Sequence, residues 1–369
     1  MRPINYINSI LRLLLLSFLL FIGLLGNNFA QNADTTKSNN QISITGMVDV
    51  YFSKNFNNPA SHINDYRNFD VTENQFDINL AKVTFQKTAN PVGFRVDLGF
   101  GHAMDLINSD ANLVYEKSLR NVEQAYLSVI LPVGSGLTIN AGKMSTHMGG
   151  EVIETSGNIN YSRSILFAYA IPYSHVGMSA GYAFSSQFTA SIYIYNGWNN
   201  VVDNNKDKTI GAEILWSPLS TFTLIENFIG GPEEPNTTNK RNVFDTILNY
   251  QAADDLFVTL DADYGQEALN PYGYAIWKGA ALTGKYTITE VSAIALRGEY
   301  YSDQSGFTTG TAQALREITV TYVYKFANSL LTRLEFRRDW SNQNTFEDET
   351  GTFSKNNQNT ILIGSIYTF

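Results

Sequence analysis

The 369-residue chain contains no cysteine, which rules out a disulfide framework and thiolate metal sites. Charge is scarce as well. Only 16% of residues are Asp, Glu, Lys or Arg, against about a quarter in an average soluble domain. Histidine occurs four times, as His62, His102, His147 and His175, which leaves little material for a metal centre or a general base. No H-E-x-x-H motif is present. His147 follows Ser145 and Thr146, but sequence neighbours at a strand end point to opposite sides. We therefore expect no catalytic residues, no metal and no cofactor.

Hydrophobic residues are plentiful at 44% and aromatic residues at 13%, with 21 Tyr and 23 Phe. One long apolar run, Leu13 to Leu25, lies in "MRPINYINSILRLLLLSFLLFIGLLGNNFAQ" behind Arg2 and Arg12. Basic, apolar and small-residue regions in that order are those of a secretory signal, and the run is short of the ~20 residues that span a bilayer as a helix. We expect a signal peptide over 1–30 and a flexible polar leader over 31–41, followed by a β domain over 42–369. Cleavage after Ala30 removes Arg2 and Arg12 and takes the net charge from −9 to −11. An acidic exported protein is a poor partner for nucleic acid.

Beyond residue 41 the dominant pattern is strict alternation. In "VGFRVDLGFG", Val92, Phe94, Val96, Leu98 and Phe100 share one face, opposite Arg95 and Asp97. Comparable segments lie near 42–52, 75–87, 92–101, 121–131, 136–144, 175–184, 187–196 and 209–217. The remainder are near 219–230, 241–251, 255–264, 274–286, 290–301, 313–326, 329–340 and 357–369. Most of these sixteen exceed the five or six residues usual for a soluble strand and match the ~9–11 of a tilted membrane strand.

Short connections such as "SSQ" (185–187) and "AADD" (252–255) alternate without a break with long polar ones such as 53–74, 102–120 and 145–174. Loop length sorted by strand parity is the asymmetry of an outer-membrane barrel, with tight periplasmic turns, long outer loops and both termini periplasmic. The fold expected is an all-β, transmembrane antiparallel β-barrel of about 16 strands in the outer membrane of a Gram-negative bacterium. Its outward face meets lipid. Its inward face carries Arg95, Asp97, Arg297, Glu299, Arg333, Glu335 and Arg337 as lumen wall, with Asp49 as a further acidic neighbour. Charges of both signs are costly in a dry core and tolerable beside water, so a wet channel for small hydrophilic solutes or ions follows.

The last stretch, "NQNTILIGSIYTF", alternates apolar and aromatic residues up to Tyr367 and Phe369, which we expect to anchor the barrel at the periplasmic interface. It resembles the C-terminal signature of bacterial outer-membrane proteins. That resemblance implies recognition by the barrel-assembly machinery during insertion.

Residues 121–182 carry "QAYLS" (124–128), "GKMSTHMGGEV" (142–152), "NYSRS" (160–164) and "PYSHVGM" (172–178). They resemble the outer-membrane β-barrel porin family of the OmpL-like type, and the Asn- and Tyr-rich composition looks Bacteroidetes-like. The resemblance implies a passive or weakly selective channel without a cofactor.

The longest connection, 145–174, stands between the fifth and sixth strands, where general porins fold a loop inward. Its apolar cluster of Ile165, Leu166, Phe167, Tyr169 and Ile171 suits packing against the inner wall. Lys143, His147, Glu151, Glu154, Arg163 and His175 are the candidate constriction residues, with Arg163 facing the pore and Glu151 as its counter-charge. "DADYG" (261–265) and "DVTEN" (70–74) are acidic but lack the spacing of a known calcium loop. A homotrimer is a possible assembly. The alternative functions are a closed structural or partner-binding barrel and, behind it, a barrel-type hydrolase.

Overall fold

An alternating chain in a hydrocarbon layer can satisfy every backbone group only if its sheet closes on itself. The computed structural model describes residues 41–108, 116–235 and 237–369, and in it sixteen strands do close. They are β1 (Ser43–Asn55), β2 (Gln75–Lys87), β3 (Val92–Phe100), β4 (Val122–Leu131), β5 (Leu137–Ser145) and β6 (Ser174–Ala183). Next come β7 (Phe188–Tyr195), β8 (Thr209–Leu219), β9 (Phe222–Pro232), β10 (Lys240–Ala253) and β11 (Leu256–Ala268). The set ends with β12 (Tyr274–Thr289), β13 (Ser292–Asp303), β14 (Gln313–Ala327), β15 (Leu330–Ser341) and β16 (Asn357–Thr368). Each strand pairs antiparallel with the next, and β1 closes the ring against β16 with Met47 opposite Thr368 and Asn55 opposite Thr360. The expected signal peptide and nearly all of the leader lie outside the described residues.

Alternation decides the two faces. Along β13, Ile294, Leu296 and Tyr300 are exposed, whereas Ala295, Arg297, Glu299 and Tyr301 are buried. β15 repeats the pattern, with Leu334 and Phe336 outside and Arg333, Glu335, Arg337 and Asp339 inside. Apolar side chains on the exposed face of a closed sheet are what lipid requires. Even connections at one end are short, such as 220–221 and 328–329, while the other end carries long ones such as 56–74 and 146–173.

Phe369 is anchored on this frame. Its N–H and C=O exchange hydrogen bonds with Gly46 of β1, both 3.0 Å. Its ring covers Gly46, where an added Cβ would lie 2.4 Å from the ring edge. A glycine beneath an aromatic on the outer face gives the ring a flat seat.

Among the described residues two short α-helices interrupt the long connections. α1 (His102–Ile107) follows β3, and α2 (Ile165–Tyr169) lies within 146–173, capped by Ser164 through the N–H of Phe167 at 3.0 Å. The alternation-based reading leaves both as loop, because six and five residues are too few for a helical period to show. The buried apolar residues concentrate here: Ile165, Leu166, Phe167, Ala170 and Ile171 join Met104, Tyr161 and Trp277 in one cluster.

Candidate pore constriction

The segment 146–173 begins and ends at one neck. Thr146 donates its N–H to the carbonyl of Tyr173 (3.0 Å), so the excursion between them is a closed loop. His147 at the neck stacks on Tyr193, with ring centroids 4.1 Å apart. Its Nε2–H donates to the Phe228 carbonyl (3.0 Å) and its Nδ1 accepts from the Tyr195 hydroxyl (3.2 Å). Burial holds the imidazole down to about 4, well below its ordinary value, although the Phe228 carbonyl works in the other direction. His175 stacks on Tyr195 at 4.0 Å and bonds Gly197 O and Thr146 Oγ1 through its two ring nitrogens.

Beyond the neck the chain has little regular structure, so its backbone groups need partners. Inward charges of the wall supply them. Carboxylates take the N–H groups: Asp245 from Gly149 (2.7 Å), Asp261 from Gly150 (2.8 Å), and Glu335 from Tyr161 (2.7 Å) and Ser162 (3.0 Å). Glu299 receives Ile165 (2.8 Å) and Leu166 (2.6 Å) at the start of α2. Guanidinium groups take the carbonyls: Arg297 from Ser162 (2.9 Å), Arg333 from Thr155 and Asn160 (both 2.8 Å), and Arg337 from Arg163 (2.5 Å). Asp49 completes the set, accepting from the hydroxyls of Thr155 (2.5 Å) and Tyr161 (2.8 Å). A charged wall thus does for a non-repetitive chain what water or a ladder would do elsewhere.

These contacts revise several expectations. Arg297, Glu299, Arg333, Glu335 and Arg337 do point inward, but all five are buried beneath the segment rather than bathed in the lumen. Arg163 is also buried. Its guanidinium donates to the carbonyls of Val152 (3.1 Å), Tyr161 (2.6 Å) and Ile153, and lies over the Phe69 ring. Five donors in a planar fork suit such a carbonyl staple. Glu151 is not its counter-charge; it pairs with Arg297 (2.9 Å) and accepts the N–H of Ser164 (2.7 Å). Lys143 is buried too, donating to Val122 O (2.6 Å) and Asn108 Oδ1 (2.5 Å).

Glu154 and Arg95 keep side-chain exposure of 22% and 26%. Together with Lys82 they line a recess of about 320 Å³ near Phe369. Lys82 bonds Glu154 and lies 3.3 Å from Glu123 and 3.5 Å from Asp97, so this group is a mixed-charge cluster. Tyr367 is exposed on the outer face, like Phe369.

The long-loop end is covered on the same side. Phe69, from the connection after β1, packs against Phe167 and Tyr173 (6.0 and 6.4 Å). Tyr66 meets Phe346 of the β15–β16 connection at 5.2 Å. Past its neck the segment makes its polar contacts with the inner wall on β10–β15 and β1–β3, while Thr146 and His147 at the neck reach β6, β7 and β9. The wall of β4–β8 instead faces a cavity of about 620 Å³ lined by Gln124, Thr138, Asn140, Ser179, Ser191, Tyr193 and Glu213, with His147 at its edge. Sequence reasoning missed this wall, because hydroxyls and amides alternating with apolar residues look unremarkable.

Gly177–Gly181 reads G-M-S-A-G, the spacing of a hydrolase nucleophile turn. It runs straight through β6, and Ser179 Oγ accepts from Asn140 Nδ2 at 3.1 Å. The strained turn between strand and helix that exposes such a serine is not formed here.

A closed sixteen-strand sheet with an apolar exterior and a segment held against its inner wall is a porin architecture. Residues 41–369 match the family described as "Putative beta-barrel porin-2, OmpL-like". The chain belongs to that family. Family and fold place this porin in the outer membrane. No curated protein matches it in sequence. The anion-selective porin from Comamonas acidovorans is similar in fold, at 10% identity and TM-score 0.62 over 89% of this chain and 99% of that one. The outer membrane channel DcaP of Acinetobacter baumannii is similar at 10% identity and TM-score 0.60, over 89% and 97%. The trimer form of OmpT, an outer membrane protein of Vibrio cholerae, gives 11% and 0.56 over 89% and 99%.

Proposed function

We propose that this porin conducts small hydrophilic solutes and ions along the wall of β4–β8, past the neck of segment 146–173. The carrying observation is the one-sided packing. The segment is bonded to the charged half of the wall and leaves the amide- and hydroxyl-lined half facing a cavity. Neutral hydrogen-bonding groups exchange readily with a hydrated solute, whereas the covered charges are already committed to backbone groups. Solutes then meet few fixed charges: Glu213 on the open wall, and Arg95 and Glu154 at the recess near Phe369. Reconstitution of the folded barrel into planar bilayers tests the reading. Discrete conductance steps are expected, and an inserted barrel without conductance refutes it in favour of a closed, partner-binding barrel. The aromatic cover over Phe69 and Phe167 is the observation that favours that second reading.

The reading assigns no catalysis, since His147 and His175 have their ring nitrogens committed to backbone and hydroxyl partners. It places both termini and the short turns in the periplasm, with export by the signal segment and insertion by the barrel-assembly machinery. A homotrimer is the assembly to test by cross-linking.

A further inference from the structure

We propose that Asp245, Asp261 and Asp263 hold a hard divalent cation, calcium before magnesium, that fastens the start of segment 146–173 to the barrel wall. Asp245 of β10 stands directly opposite Asp263 of β11, and Asp261 shares their inward face two residues away. All three are buried, and one carboxylate oxygen from each lies within 4.8 Å of the others. Among the described residues no lysine, arginine or histidine forms an ion pair with any of them. Three buried carboxylates so close cannot all be ionised without a counter-charge.

The free oxygens point to what supplies it. Gly149 and Gly150 occupy Oδ2 of Asp245 and Asp261, which leaves Oδ1 of each without a partner, and both oxygens of Asp263 also lack one. An independent observation comes from the neighbouring strand. Asn227 of β9 faces Asp245 across the ladder, is 3% exposed, and donates its Nδ2 to Asp245 Oδ2 at 2.9 Å. The carbonyl oxygen of that same buried amide has no partner. Protonating one aspartate relieves the repulsion but supplies a single O–H donor for five unclaimed oxygens, whereas a cation can draw on all of them. Five unclaimed oxygens, one of them neutral, form a hard-ligand set. Calcium–oxygen distances of 2.3–2.6 Å put opposite ligands about 5 Å apart, whereas magnesium needs about 4 Å. A separation within 4.8 Å admits either ion, and the donor set decides for calcium, because magnesium gives up its waters reluctantly and is seldom held in a cage of several protein carboxylates. The same carboxylates hold Gly149 and Gly150, so the ion would lock the segment where it leaves the neck.

The test uses the full barrel, folded in detergent and stripped with EDTA, and does not depend on conductance. Titration with CaCl2 should show one saturable ion per chain and raise the unfolding midpoint. Terbium serves as a local probe, because Trp277 lies opposite Gly265, two residues along β11 from Asp263, or roughly 7 Å of strand. Indole-excited terbium luminescence should therefore appear and be displaced by calcium at no more than a tenth of the magnesium concentration required. Asp263→Asn should weaken calcium binding at least tenfold and abolish most of the calcium-induced shift. The proposal falls if the wild-type barrel takes up neither ion, or if Asp263→Asn and Asp245→Asn bind calcium as the wild type does. It falls equally if EDTA leaves the midpoint unchanged while Asp263→Asn raises it, the signature of a protonated acid cluster. Should a variant fail to fold, the wild-type titration still decides.

Discussion

Glu335 accepts the backbone N–H of Tyr161 at 2.7 Å, a bond from the middle of β15 to the middle of the in-folded segment. Its other oxygen takes Ser162 N–H (3.0 Å), while the Thr321 hydroxyl donates to the same oxygen as Tyr161 at 2.7 Å. Glu335→Ala removes the acceptor for two buried N–H groups, each of which costs about 1–3 kcal/mol when left unpaired. We expect the urea midpoint of the folded barrel to fall and single-channel current to become noisier. Unchanged noise in a destabilised barrel would mean that the segment stays seated without Glu335.

The barrel was legible in the sequence because lipid and lumen impose period two on every strand. The sixteen alternating segments coincide with the strands to within a few residues. Ends such as Thr289 and Ala268 run beyond the expected limits because antiparallel ladders continue past the apolar band. The inward charges were legible too, but not their task. Whether Arg333 meets water or the carbonyl of Thr155 depends on the path of a segment with no repeat of its own. The pairing of Asp245 with Asp263 likewise needs strand register, so "DADYG" alone gave two of the three carboxylates. Glu151 and Arg163, close in sequence, were natural partners until Arg297 took the carboxylate from across the barrel.

Replacing Arg163 separates a staple from a selectivity residue. If its charge faced the pore, Arg163→Met would shift the reversal potential in a salt gradient toward cations. Because its guanidinium is spent on the carbonyls of Val152, Ile153 and Tyr161, we expect fluctuating conductance with an unchanged reversal potential. Glu213→Gln, on the open wall, should instead shift that potential toward anions with steady conductance. The opposite assignment of the two effects would show that solutes pass on the Arg163 side.

Gly364 on the inner face of β16 gives Tyr161 its place. A Cβ there would lie 2.2 Å from the Tyr161 ring, so Gly364→Ala must displace the ring and with it the bond from the Tyr161 hydroxyl to Asp49. Overpacking of this kind costs about 1–3 kcal/mol. The expected result is a lower unfolding midpoint and a segment newly open to protease, read by limited proteolysis of the folded barrel. Wild-type protease resistance would show that Tyr161 does not hold the segment.

Two loop groups make opposite demands on acidity. Asp65, in the connection after β1, is raised to about 6 by burial, with Glu347 and Asp339 nearby adding to the effect and the N–H of Glu347 opposing it. It binds a proton more readily in the folded barrel than in the unfolded chain, so stability falls as pH rises from about 4 to 6. His147, lowered to about 4, binds its proton less readily when folded, so stability rises with pH from about 4 to 6.5. The slopes oppose each other in the wild type. Subtracting the wild-type curve of midpoint against pH from that of Asp65→Asn should leave a difference that rises across this window. The same subtraction for His147→Gln should leave one that falls. Other titrating groups cancel in each difference, and flat differences would show that neither group changes its proton affinity on folding.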